Sequence, residues 1–186
     1  MNEYRVTKYN PAFRNDYDHY TGAGWNPTVR IDDGPPFTKV EWTMFKEIGG
    51  TFSGVVFTRE DYDRVEDGYV QAAVTFLSES GESSMRVAGI EKRGRPVDFD
   101  NGSVLQLARI GEIIRPTLRE EIYCRLEGND SFIHFDWDFY MYVGVPHPCP
   151  GAEARAAELG LYVEECASPI RLSLEETASE EDTNSR

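Results

Sequence analysis

Phe132-Ile133-His134-Phe135-Asp136-Trp137-Asp138-Phe139-Tyr140-Met141-Tyr142 is the stretch on which the fold turns. From Ile133 onward apolar and polar side chains alternate, the period of a strand with one face in a core. As a strand it carries His134, Asp136 and Asp138 on one face and Ile133, Phe135 and Trp137 on the other. The preceding segment, Ile122–Glu127, alternates in the same way, and Gly128-Asn129-Asp130-Ser131 separates the two. A two-residue turn at Asn129-Asp130 joins them into a hairpin, because Asn and Asp tolerate positive φ. That register sets Leu126, Cys124 and Ile122 opposite Ile133, Phe135 and Trp137, and sets Arg125, Tyr123 and Glu121 opposite His134, Asp136 and Asp138. A slip of one residue would mix the two faces, so the pattern specifies its own pairing.

Outward from the hairpin, the chain mixes strands with two principal helices. Residues 4–9 alternate and read as a first strand, stopped at Asn10-Pro11. Residues 14–38, rich in Gly and Pro, read as a long irregular loop with one short strand near 28–31. This loop supplies His19 and Trp25. Residues 40–45 suit a short strand or helical turn, and residues 52–57 a strand. Thr58 followed by Asp61 predicts a capped helix whose stripe is Tyr62, Val65, Tyr69, Ala72, Ala73 and Phe76. Residues 85–90 read as a strand, and Ser103 as the cap of a second helix, broken near Arg115-Pro116. A short helix over 153–159, a strand at 161–163 and a final segment over 169–174 complete the body. Residues 175–186, with five acids and one base, read as a disordered acidic tail. The expected fold is therefore α+β: a single domain, residues 1–174, with a mainly antiparallel sheet packed by two principal helices.

The 186 residues hold 33 acids against 19 Lys and Arg, a formal charge of -14. Nucleic acid is excluded as the expected partner, since no cationic surface is available to displace its counterions. A basic protein is the partner such a charge favours. No apolar run approaches the roughly 20 residues of a membrane span. Three widely spaced cysteines, Cys124, Cys149 and Cys166, argue against a disulfide scaffold and for a cytoplasmic location.

The polar hairpin face is the candidate site: Tyr123, Arg125, His134, Asp136 and Asp138, extended by Tyr140 and Tyr142 and rimmed by Glu120 and Glu121. Rigid tyrosines and carboxylates suit recognition of a basic partner. A plain solvated face is the competing reading. Catalysis has less behind it. His134, Asp136 and Asp138 spread along roughly 13 Å of strand and cannot all ligate one ion. No nucleophile elbow, zinc-protease helix, P-loop or dinucleotide fingerprint is present. Cys124 falls on the core face, where a thiol is inert. No catalytic residue, metal or cofactor is expected. An enzyme using His134 and the 14–38 loop, and a homo-oligomer, stay open as alternatives.

Residues 3–11, Glu41-Trp42-Thr43, Arg119-Glu120-Glu121 and residues 132–144 resemble a family of small uncharacterised bacterial cytosolic proteins. In size and character the chain is also similar to immunity proteins of polymorphic toxin systems. The resemblance implies a non-enzymatic, protein-binding role, such as an immunity-type inhibitor of a basic toxin. It supplies no catalytic motif to carry onto these positions.

Overall fold

A computed structural model describes residues 1–13, 42–94, 96–136 and 139–184. The 14–38 loop, with its expected strand, and Trp137 and Asp138 of the hairpin lie outside the described residues. The strands are β1 (Asn2–Thr7), β2 (Thr51–Phe52), β3 (Val55–Val56), β4 (Ser84–Lys92), β5 (Val104–Gln106), β6 (Ile122–Glu127), β7 (Phe132–Asp136), β8 (Tyr140–Val145) and β9 (Tyr162–Glu165). The helices are α1 (Arg59–Glu79), α2 (Gly111–Leu118), α3 (Pro150–Glu158) and α4 (Pro169–Asn184).

Seven strands form one antiparallel sheet in the order β5-β4-β6-β7-β8-β1-β9, while β2 and β3 make a separate small hairpin. The fold is the expected single α+β domain, and α1 and α3 do most of the packing against the sheet. Alternation explains the sheet's inner face. Tyr4, Val6, Met85, Val87, Ile122, Cys124, Leu126, Ile133, Phe135, Met141 and Val143 all point the same way and are buried. At about 1.5–3 kcal/mol per large apolar side chain, this face is the main source of stability.

The β6–β7 hairpin has the expected register, with Arg125 opposite His134 and Leu126 opposite Ile133. Its turn differs in kind. Neither Asn129 nor Asp130 has positive φ. Instead the Glu82 carboxylate accepts the Asn129 amide at 3.0 Å and the Ser131 hydroxyl at 2.8 Å. A distant side chain thus satisfies donors that a primed turn would have aimed elsewhere.

Helix α1 begins as predicted, with Thr58 Oγ1 accepting from the Asp61 amide at 3.1 Å. Its buried face holds three residues outside the predicted stripe, Gly68, Leu77 and one charged residue: Glu66, fully buried. Arg119 grips it bidentately, at 2.7 and 2.6 Å, and Arg115 donates to it at 3.0 Å. Further along, the buried Tyr69 hydroxyl donates to the Phe139 carbonyl at 2.6 Å and accepts the Lys8 amide at 2.7 Å. Phe139, at φ 64, packs edge-on to Trp42, whose ring stacks on Phe57 at 4.3 Å.

Residues 52–57, expected as one strand, are broken at Ser53-Gly54 into the β2–β3 hairpin, and two further segments depart from the expected pattern. The helix expected from Ser103 is instead β5, a 3-10 turn over Leu107–Arg109 and then α2. Val104 to Gln106 pair with β4, and that edge pairing outcompetes helical spacing. Nor does Pro116 break the helix: it lies inside α2, five residues from its start. It lacks the amide that would reach the Glu112 carbonyl, a cost offset by the burial of Ile113, Ile114, Thr117 and Leu118. At the other end of the chain, residues 175–184, expected as a disordered tail, continue α4. At the start of α4, Ser168 and Arg171 hold the helix to β1 and β7, while Leu172, Ser173 and Leu174 are exposed.

Replacing Arg119 with Met leaves Glu66 buried beside Arg115 alone. The expected cost is about 3–5 kcal/mol in urea unfolding. The double variant Arg119→Met/Glu66→Leu recovers most of it, because no buried charge is then left without its bidentate partner.

Candidate functional site

The outer face of the sheet carries a row of side chains set by strand register, polar from Arg125 onward. Ala88, Arg125, His134, Tyr142, Arg5 and Glu164 are successive neighbours across β4, β6, β7, β8, β1 and β9. The sequence parity holds along this row, but its accessibility is divided. His134 is 1% and Tyr142 5% exposed, so neither presents the surface expected of it. The reason is a long-range covering that alternation does not encode. Ser168, just before α4, shares a 2.9 Å hydrogen bond with His134 Nδ1. The Ser168 amide donates to Glu3 at 2.8 Å, and the other Glu3 oxygen lies 2.7 Å from Arg171. The Ser168 hydroxyl also accepts the Arg171 amide at 3.3 Å, as a helix cap does. This polar clasp pins the first turn of α4 over β1, β7 and β8.

Beneath it, Phe132 stacks on His134 at 4.2 Å. Gly144 lies opposite Phe132, and a Cβ there would land in the Phe132 ring. His134 Nε2 is 3.5 Å from Glu127 Oε1 but is not aligned for a hydrogen bond. Arg125 donates to the same Glu127 oxygen at 3.3 Å. Glu127 is held below the ordinary carboxylate range, first by its polar contact with His134 and then by Arg125, against the cost of burial. Tyr140 is half-buried, with the Arg5 guanidinium 5.4 Å above its ring and Tyr9 packed beside it.

The other predicted residues meet at the end of the sheet, where β4 and β7 finish and β6 begins. A cleft of about 330 Å³ opens there. Its floor is apolar: Leu118, Ile122, Phe135, Phe139 and Ile170 of α4. Its rim is polar: Glu91, Arg93, Glu120, Tyr123 and Asp136. A shallower depression beside it reaches Arg125 and the exposed Ser173 and Leu174. Glu121 is half-buried next to the cleft, its carbonyl accepting the Arg93 amide. Asp138 lies outside the described residues.

Local structure explains the rim. The irregularity in β4 between Ala88 and Glu91, at Gly89 with φ 61, brings Glu91 opposite Tyr123. Pattern reading of β4 alone did not find Glu91 or Arg93, because the bulge resets the parity. Glu120 ends α2 in the left-handed position, φ 60. The Glu121 amide returns to the Pro116 carbonyl and the Glu120 amide to the Thr117 carbonyl, a Schellman closure in which Gly is the usual residue. Of the three non-glycine residues with positive φ among the described residues, two, Glu120 and Phe139, line this one cleft. Such backbone costs concentrate where function holds them. The Tyr123 hydroxyl titrates above its ordinary range, through burial first; Arg125 opposes the shift, and the charges of Asp136 and Glu91 add to it. The two carboxylates therefore act on one phenol.

Cys124 is buried, its thiol pushed up to about 11 by desolvation. Among the described residues no group of three His, Cys, Asp or Glu side chains could hold a metal ion. Nor is any described helix long and apolar enough to cross a membrane.

Two outcomes are expected. Glu120→Gly relieves the left-handed backbone and raises stability by up to about 1 kcal/mol in denaturant unfolding, although it deletes a charge from the cleft. For Glu127, the depressed folded value means that its contribution is present above the ordinary carboxylate value of about 4.3 and is lost as pH falls through the folded value. Melting curves from pH 7 down to pH 3 should show a steeper acid decline for wild type than for Glu127→Gln.

No protein-family model, curated protein or solved structure matches this chain, so the reading of the cleft rests on its geometry.

Proposed function

We propose that the protein is a non-enzymatic binding module whose cleft at the end of the sheet receives a basic segment of a partner protein. One observation carries the reading. Three carboxylates from three separate elements, Glu91 of β4, Glu120 of the α2–β6 turn and Asp136 of β7, line one cleft with Tyr123 and the apolar Leu118, Ile122 and Phe135. Against Arg93, the rim has a net charge of about -2 among the described residues by formal counting (three acids, one base). The chain as a whole carries -14, which draws a cationic partner from a distance and orients its approach. Tyr123 and the floor then offer rigid, desolvated contact of the kind that anchors an interface.

The finer form of the proposal is an immunity-type inhibitor. A toxin that cleaves nucleic acid needs a basic substrate cleft, and an acidic, aromatic surface is complementary to it. The contact residues are then Glu91, Glu120, Tyr123 and Asp136, with Glu121 and Tyr140 at the margin. His134 and Tyr142 act through the sheet rather than by touching the partner.

Affinity capture from the native cell with wild type and with Glu120→Lys/Asp136→Lys tests this. The wild type should retain a basic protein, and the double variant should lose it by at least about tenfold, with an effect that shrinks as salt is raised. Equal retention by both proteins, or capture of acidic partners only, overturns the proposal.

A further inference from the structure

We propose that α4 is a hinged flap, swinging as a unit about residues 166–168, whose closure buries His134 and completes the cleft with Ile170. Its consequence for the cleft rests on the binding reading above, and the motion itself does not.

Four observations carry it. First, the attachment is polar and confined to the first turn. Ser168 holds His134 and Glu3, and Arg171 holds the other Glu3 oxygen. Among the described residues of α4, only Ile170 and Arg171 are even half-buried, and residues 172–177 are exposed. A helix anchored by so little apolar surface opens at a lower free energy than the whole fold. Second, the clasp works against itself. His134 Nε2 and Arg171 Nε are both buried without a hydrogen-bond partner. Opening returns both to water, which offsets part of what the clasp contributes. Third, the chain offers a hinge. The Cys166 amide still donates to the Glu3 carbonyl at 3.0 Å, Ala167 after it is exposed, and α4 begins at Pro169. A swing there leaves the sheet and the helix intact. Fourth, the flap and the cleft share residues. Ile170 lines the cleft, and Ser173 and Leu174 meet Asp136 at the shallower depression beside it. Residues 169–184 carry five acids and one base, so closure sets an acidic helix beside an acidic rim. A basic segment in the cleft offsets that repulsion and thereby favours the closed form over the open one.

Native-state exchange on the full chain tests the motion without a partner. Mass spectrometry follows two signals: backbone amide exchange, and deuterium uptake at the imidazole C2 of His134, with the exposed His147 as reference. In wild type, amides 171–177 should be at least about tenfold less protected than those of β7. His134 uptake should be at least about fivefold slower than that of His147. In Glu3→Gln/Ser168→Ala it should rise to within about twofold of His147, with the β7 amides as protected as in wild type. His134 uptake that stays slow in this variant, or that rises only with loss of β7 protection, overturns the proposal. If capture through Glu120 and Asp136 succeeds while His134 stays covered in the loosened variant, the flap falls and the binding module stands. If His134 is uncovered as expected and wild type captures no basic protein, the flap stands and the binding reading falls.

Discussion

The buried Glu66 carboxylate governs how α2 meets α1, and the cleft inherits that placement. A carboxylate with no exposed surface needs its charge matched nearby, and Arg115 comes from α2 and Arg119 from the residue that caps it. The pairing fixes the rotation of a helix only eight residues long, too short to hold its own shape in water. With α2 so fixed, its last turn sets Thr117, Leu118 and Glu120 as one wall of the cleft. Arg119 and Glu120 are adjacent, so a structural ion pair and a rim carboxylate share one turn of chain. The left-handed closure at Glu120 aims the two side chains in different directions.

The outer face of the sheet is a single ladder in register and two environments in fact. On one side the clasp of Glu3, Ser168, Arg171 and His134 closes over Tyr142 and Phe132. On the other side Tyr123, Asp136 and the start of β6 stay open at the cleft. Ile170 belongs to both, since it follows the clasp directly and also forms part of the cleft floor. Helix α4 therefore stabilises the covered half and gives the open half its depth. Leu172 and Leu174 are exposed, and Leu174 borders the shallower depression beside Tyr123, Arg125 and Asp136.

Much of the fold was legible from the chain itself. The hairpin register follows from a period of two that only one alignment satisfies, and the α1 stripe follows from a period near 3.6 with a capping pair at its start. The failures are equally physical. Residues 104–106 carry apolar spacing that suits a helix, yet an edge position beside β4 made them a strand. Pro116 looked like a breaker because its position relative to the helix end was unknown. Glu66 has no place in the apolar stripe, and its partners lie 49 and 53 residues away.

The site divides in the same way. Composition and parity determined that one sheet face would be acidic and aromatic, because side-chain alternation is a local property of extended backbone. They also determined which residues could share that face, including Tyr123, Arg125, His134, Asp136, Tyr140 and Tyr142. Which of them reach solvent was decided only by tertiary structure. Ser168 meets His134 across 34 residues and Glu3 across 165, and a β4 bulge brings Glu91 to Tyr123. Coverage of a face depends on where distant segments land, and no periodicity within a strand records that.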